Sequence, residues 1–241
     1  MDWSNFFSVE NFNTDKYTVT QLVLCATGGA MWAILYIKML LNIRKHHYVE
    51  MPYFVAAGNL AWEFLWAWVF AKYIDLGDVY VFLYRAWFFV DLFIFGHVVS
   101  YGQKQISNPY IRKHYKPILF AILAMFLGLI YSFVRSSFDF PLGVNSAYML
   151  NLLISIMYLQ LYMRQYQSGT FLKLVAWFKM IGTGLITIAF WNMIPPDNYF
   201  EHVAGPIVFV IDIYYIWMIY NWNKPQLDPE FNSMDDGIIE I

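Results

Sequence analysis

The sequence predicts an all-α membrane protein: a bundle of seven transmembrane helices, N-terminus outside or lumenal, C-terminus cytoplasmic. Three observations predict it. Of 241 residues, 60% are hydrophobic and only 13% charged, with mean hydropathy +0.46, whereas a soluble domain carries roughly 25% charged residues. Seven apolar stretches reach the ~20 residues a helix needs to cross a bilayer. The basic residues gather on one set of the loops between them.

The first stretch, about 18–41, follows a segment that sets Asp2, Glu10 and Asp15 against Lys16 alone, the wrong charge balance for a secretory leader. Cys25, the one cysteine, lies inside this stretch, so no intrachain disulfide is available. A loop with His46, His47 and Glu50 comes next; it is a weak metal signature and reads as a solvated cytoplasmic loop. The second stretch, 51–72, contains Glu63. The third, 79–101, contains Arg85, Asp91 and His97, the last read as a packed histidine. Asn108-Pro109 marks a loop before the fourth stretch, 117–134. Phe140-Pro141 precedes the fifth, 142–163, and Ser168-Gly169 the sixth, 172–191. Pro195-Pro196-Asp197 precedes the seventh, 205–222. Residues 1–222 form one domain with no room for a soluble one. The polar stretch 223–241 reads as a disordered cytoplasmic tail.

Orientation follows from Lys38, Arg44 and Lys45 at the first loop, Lys104, Arg112, Lys113 and Lys116 at the third, and Arg164 and Lys173 at the fifth. Lys224 opens the tail. The opposite side shows Lys16, Lys72 and Arg135. The positive-inside rule places the richer side in the cytoplasm.

The acids inside the spans carry the functional signal. An ionisable group at mid-helix costs at least ~2.5 kcal/mol and marks a functional site by default. Glu63 lies near the midplane, Asp91 near the middle of the third span, and Asp212 about seven residues into the seventh, ~10 Å deep at 1.5 Å per residue. Arg85 lies in the outer third, within reach of a salt bridge to Asp91. No other basic residue is placed at matching depth, so Glu63 and Asp212 are expected to lack a cation. A carboxyl without a partner in apolar surroundings keeps its proton and is poised to donate it.

Asn59 shares the Glu63 face one turn earlier. The fifth span adds a stripe of Tyr148, Asn151, Ser155, Tyr158 and Tyr162; the sixth adds Thr183, Thr187 and Trp191. These are expected to line one cavity, although such groups also serve as hydrogen-bond glue between helices. Aromatic residues make up 21% of the chain, and ring faces stabilise cations. Many belong to interfacial belts; the mid-span Trp62, Trp66, Trp87 and Phe88 are better pocket walls.

Several classes are disfavoured. A net charge of −2 gives no reason for nucleic acid. No Asp-x-Asp-Asp motif exists, and Asp235-Asp236 with Glu240 lies in the tail, so no metal or other cofactor is expected. The seventh span has no lysine for a retinal Schiff base. A proton-coupled small-solute transporter would also use buried carboxyls, but no inverted or parallel repeat is visible.

Asn59-Leu60-Ala61-Trp62-Glu63-Phe64 in the second span and Asp212 in the seventh resemble the integral-membrane terpene cyclases. These include pyripyropene-type meroterpenoid and paxilline-type indole-diterpene cyclases of fungi, with bacterial relatives. The resemblance covers the whole chain in architecture and rests on one hexapeptide and one aspartate in motif. It implies a metal-independent isomerase- or lyase-type cyclisation of secondary metabolism. A terminal epoxide or alkene of a lipophilic prenylated substrate, such as an epoxyfarnesyl compound, is protonated, and rings close through carbocations. It maps the essential acids onto Glu63 and Asp212. The expected substrate contacts are Asn59, Trp62, Trp66, Arg85, Trp87, Asp91, Tyr148, Asn151, Tyr158 and Trp191. The expected site is the lipid bilayer of the endoplasmic reticulum in a eukaryote, or the inner membrane in a bacterium.

Overall fold

A computed structural model of the chain describes residues 17–140, 142–167, 169–193 and 199–222, with no strand among them. The expected tail, and the residues before Tyr17, lie outside the described residues. Among the described residues seven helices are long and apolar enough to cross a membrane. Helix α1 (Val19–His46) opens on a capping box. The Thr18 hydroxyl accepts from the Gln21 amide, and the Gln21 side chain accepts from the Thr18 amide, satisfying two donors that a helix start leaves open. It extends past residue 41 because Arg44, Lys45 and His46 suit the negative end of the helix dipole.

Helix α2 (Tyr53–Phe64) continues through a wide π turn, Leu65–Val69, and a 3-10 turn, Phe70–Lys72. Helix α3 spans Asp78–Tyr101. The Asn108-Pro109 loop proves to be a helix start: Asn108 caps a short helix, Pro109–Lys113, by accepting from the Tyr110 and Ile111 amides. Helices α4 (Tyr115–Arg135), α5 (Val144–Gln165), α6 (Lys173–Trp191) and α7 (Tyr199–Asn221) complete the bundle. Helix α7 starts at Tyr199 rather than at residue 205. Its first turns carry the polar Glu201 and His202, which hydropathy discounts, and Pro206 is held within the helix.

Helix α2 is the enclosed one. In its apolar stretch 72% of residues are buried, against 17–44% in the other six. It packs on α3, α4 and α5; α7 packs on α5 and α6, and the closest pairing is α1 with α6. That pairing depends on two glycines, since a Cβ on Gly28 would stand 2.7 Å from the Gly182 carbonyl oxygen. Small residues allow such backbone approach in membranes. The outward surface is apolar, with Ile37, Phe82, Phe93, Leu129, Val210 and Trp217 exposed, as lipid contact requires.

The loop holding Glu50 differs from expectation. Glu50 is fully buried, and both carboxylate oxygens accept from the Leu172 amide at 3.2 Å. It ties the 47–52 loop to the start of α6 rather than facing water. Among the described residues no three His, Cys, Asp or Glu side chains converge as a ligand set.

Candidate active site

Glu63 and Asp91 line one cavity inside the bundle, with a volume of about 200 Å³. That is space for roughly seven waters at ~30 Å³ each. Helical spacing explains how it is built. Gly29, Trp32 and Tyr36 share a face of α1; Tyr84, Trp87 and Asp91 share a face of α3; Asn59, Trp62 and Glu63 come from α2. Helix α5 contributes a wall from Ala147 to Ile154, and α6 closes it with Ile186 and Phe190. A larger recess of about 860 Å³ opens at the Glu50 end, but no carboxyl among the described residues lines it.

Glu63 is 8% exposed and Asp91 4%. The two carboxyls are close enough to interact electrostatically, and among the described residues no Lys, Arg or His lines the cavity with them. Asp91 has a defined neighbour: the Tyr36 hydroxyl is its side-chain hydrogen-bond partner, and Tyr36 in turn accepts from Asn59 Nδ2 at 3.1 Å. Glu63 Oε2 is buried and has no hydrogen-bond partner among the described residues, and the same holds for Asn151 Oδ1. Leaving a buried polar atom unpaired costs about 1–3 kcal/mol, so two such atoms on one cavity are sites that a ligand can satisfy.

The walls are aromatic and held in place. Tyr36 packs between Trp32 and Trp87, with ring centroids 5.8 and 5.7 Å away. Trp62 meets Tyr84 edge-on at 5.2 Å. The Trp62 indole N–H donates to Ser146 Oγ at 2.7 Å. Ser146 is bound to Asp139, whose carboxylate also accepts from the Phe140 and Asn145 amides at 2.9 Å. Burial raises the Asp139 carboxyl above its usual range, and these hydrogen bonds pull it back. An acid of the 136–143 loop thus sets the orientation of a cavity wall.

Other expected residues sit elsewhere. Asp212 does not line this cavity. Its two oxygens accept from Lys179 Nζ at 2.6 and 2.7 Å, and Lys179 also donates to Ser155 at 2.7 Å. The expectation that only Arg85 lay at matching depth was wrong: Lys179, buried within α6, neutralises Asp212. Arg85 does not reach Asp91. It is exposed, with its guanidinium 4.8 Å over the Trp68 ring, because a long side chain can turn outward along its helix.

Trp66 is fully buried behind Trp62, where the π turn directs it toward Gly143. Tyr158 lies beyond Ile154, where the cavity ends on α5, and packs on Tyr215 at 5.7 Å. Trp191 is 44% exposed and stacks on His202. Asn59, Trp62, Trp87, Asp91, Tyr148 and Asn151 do line the cavity with Glu63. Sequence reasoning missed Trp32, Tyr36, Tyr84 and Phe190. The regular spacing of Gly29, Trp32 and Tyr36 was the available signal for the first two.

Comparison with curated proteins and with solved structures gives no match. The family described as Pyr4-like transmembrane terpene cyclases matches residues 10–224. That range takes in all seven spans and every residue of the cavity. With seven membrane-crossing helices around an aromatic chamber that holds two acids, the chain belongs to the Pyr4-like transmembrane terpene cyclases and is an integral membrane cyclase.

Proposed function

We propose that the protein cyclises a lipophilic prenylated substrate by protonating its terminal epoxide or alkene at Glu63. The observation that carries this reading is Glu63 Oε2, an unpartnered carboxyl oxygen on an aromatic cavity. Two carboxyls in one apolar chamber without a cation share a proton, so Glu63 has Asp91 as its partner. Asp91 is in turn oriented by Tyr36 and Asn59. The proton passes from Glu63 to the epoxide oxygen, the C–O bond opens, and successive double bonds attack the cation to close rings. A carbon-bound proton is lost at the end, so the product is an isomer of the substrate. Trp32, Trp62 and Trp87 offer ring faces worth roughly 0.5–2 kcal/mol each to a passing cation, and their bulk excludes the water that would trap it.

Asp212 acts through Lys179. The buried pair joins α6 to α7 and, through Ser155, to α5, which places the α5 and α6 walls. The substrate enters from the bilayer, of the endoplasmic reticulum or of a bacterial inner membrane, and the chemistry needs no metal. The test is Glu63→Gln, which keeps the shape and loses the acid. Membranes holding the variant and an epoxyfarnesyl aromatic substrate should yield cyclised product at least ~10²-fold more slowly, the lower range for a general acid. Retention of more than about a tenth of wild-type turnover excludes Glu63 as the initiating acid.

A further inference from the structure

Helices α4 and α5 follow one another through the 136–143 loop yet touch only sparingly. The larger recess lies in the gap at the ends remote from that loop. Tyr115, the first residue of α4, lines it with the outer half of α5, and Tyr53 and Phe54 at the start of α2 form its floor. At about 860 Å³ it is more than four times the size of the chamber that holds Glu63. A void of that size between membrane helices leaves its walls without dispersion partners unless something fills it.

Its chemistry changes along its length. Leu153, Met157, Gln160, Leu161 and Arg164 line it from α5, and their spacing puts them on one helix face. From Leu153 to Arg164 is ~16 Å at 1.5 Å per residue. The inner part of this stripe is apolar; the outer part, at the last turn of α5, carries the amide and the guanidinium. A second guanidinium is fixed at the mouth. Arg112 Nε donates to the Ile106 carbonyl at 2.7 Å and Nη2 to the Ser107 carbonyl at 3.4 Å, and both residues line the recess.

The back wall is stitched together. Gln105 accepts from the Val49 amide and donates to the Val49 carbonyl, each at 3.0 Å, and Gln165 Nε2 donates to the Gln105 carbonyl at 2.9 Å. These bonds hold the 47–52 loop, the end of α3 and the end of α5 as one surface. Gln160 and Arg164 differ: both are exposed, and neither has a hydrogen bond or ion pair among the described residues. With two guanidinium groups and no carboxyl among the described lining residues, the mouth is positive.

We propose that this recess binds one anionic phospholipid, with its phosphate against Arg164 and Gln160, Arg112 at the rim, and an acyl chain laid along Leu153, Met157 and Phe54. Guanidinium pairs with phosphate in two-pronged geometry, and basic pockets between membrane helices take anionic head groups. A soluble phosphate fills only the outer end and leaves the apolar stripe empty. A zwitterionic lipid brings a cation to a mouth that already holds two. The lipid fills the gap between α4 and α5 and is independent of the chemistry at Glu63.

The test is native mass spectrometry of the purified full chain from micelles holding equal amounts of phosphatidylglycerol and phosphatidylcholine. Wild type should retain one phosphatidylglycerol in preference by roughly 5- to 25-fold, at about fivefold per guanidinium. Arg164→Gln should remove about fivefold of that preference. Lys45→Gln, an exposed cation on the last turn of α1 and outside the lining, should leave it unchanged. Met157→Trp, which projects bulk into the slot, should lower retention of phosphatidylglycerol with Arg164 intact. Arg164 is exposed, so its substitution carries the test even where the bulkier one fails to fold. Glycerol phosphate, which has the head group and no acyl chain, should not displace the lipid at concentrations where a short-chain phosphatidylglycerol does. Equal retention of the two lipids, an equal loss with Lys45→Gln, or displacement by glycerol phosphate as readily as by the short-chain lipid would overturn the proposal.

Discussion

Lys179→Met should be among the most damaging single substitutions in the protein. It removes three hydrogen bonds of 2.6–2.7 Å and leaves the Asp212 carboxylate, 3% exposed, without its cation. Stranding one partner of a buried pair costs about 3–5 kcal/mol. At about 1.4 kcal/mol per decade, the folded-to-unfolded ratio falls by roughly two to three and a half decades, a large share of the ~5–15 kcal/mol that holds a typical fold. Asp212→Asn should be nearly as harmful, since it strands the lysine. Replacing both, as Lys179→Met with Asp212→Leu, removes the charges together, and such swaps are often neutral or stabilising. Ser155 tolerates the loss because its hydroxyl still donates to the Asn151 carbonyl at 3.0 Å.

The assay is the folded fraction in detergent after a temperature series, followed by gel filtration, for wild type, both singles and the double. Recovery in the double supports the structural assignment. A stable Lys179→Met, or a double no better than either single, refutes it. Turnover then separates the roles. A folded double that retains activity within about tenfold leaves Asp212 no direct part in the chemistry, whereas a folded but dead double puts Asp212 on the substrate.

Glu50 makes stability depend on pH. Burial pushes its carboxyl well above the usual 4.5, and the Leu172 amide offsets part of this. The folded state holds the proton more tightly than the unfolded chain, so this contribution is complete below about 4.5 and is lost as pH rises toward the folded value. Melting temperature should fall with rising pH above about 4.5, with a slope of at most ~1.4 kcal/mol per pH unit from this group. Glu50→Gln should flatten it; an unchanged profile rules Glu50 out. Ser146→Ala removes the acceptor of the Trp62 indole and should cost ~1–3 kcal/mol, with a broader product mixture by mass spectrometry as the wall loosens. Gly28→Val drives a side chain into the Gly182 carbonyl and Ile186 and should cost about 1–3 kcal/mol. Unaltered melting would show that α1 and α6 can part without penalty.

Depth was legible in the sequence; direction around each helix was less so. Apolar run length located seven spans, and charge within them picked out Glu63 and Asp91, because an acid at mid-span is costly wherever it points. Arg85 sits at the expected depth and faces the other way: its stem reaches Trp68, and nothing local in sequence fixes that rotamer. Trp66 follows Trp62 by four residues, which in a regular helix means the same face. The π turn beginning at Leu65 breaks that rule without a proline or glycine to announce it. Lys179 obeys the criterion applied to the acids, a charge inside an apolar run, and applying it to cations as well would have paired Asp212. Tyr84 is one among 19 tyrosines; its hydrogen bond to the Leu142 carbonyl, not its spacing, sets it apart.

The π turn also makes α2 two helices in different phase. A five-residue widening adds one residue to the register, and one residue is ~100° of rotation. Asn59, Trp62 and Glu63 belong to the phase before the turn, and Phe70 and Lys72 to the phase after it. Gain or loss of a single residue between Leu65 and Val69 therefore leaves the acid in place while swinging everything beyond it by about a quarter turn. Relatives that differ in length at this point can share the same chemistry and present different aromatic rings at the Asp139 end. The turn is thus a place where a one-codon deletion can change what the chamber holds without touching the group that starts the reaction.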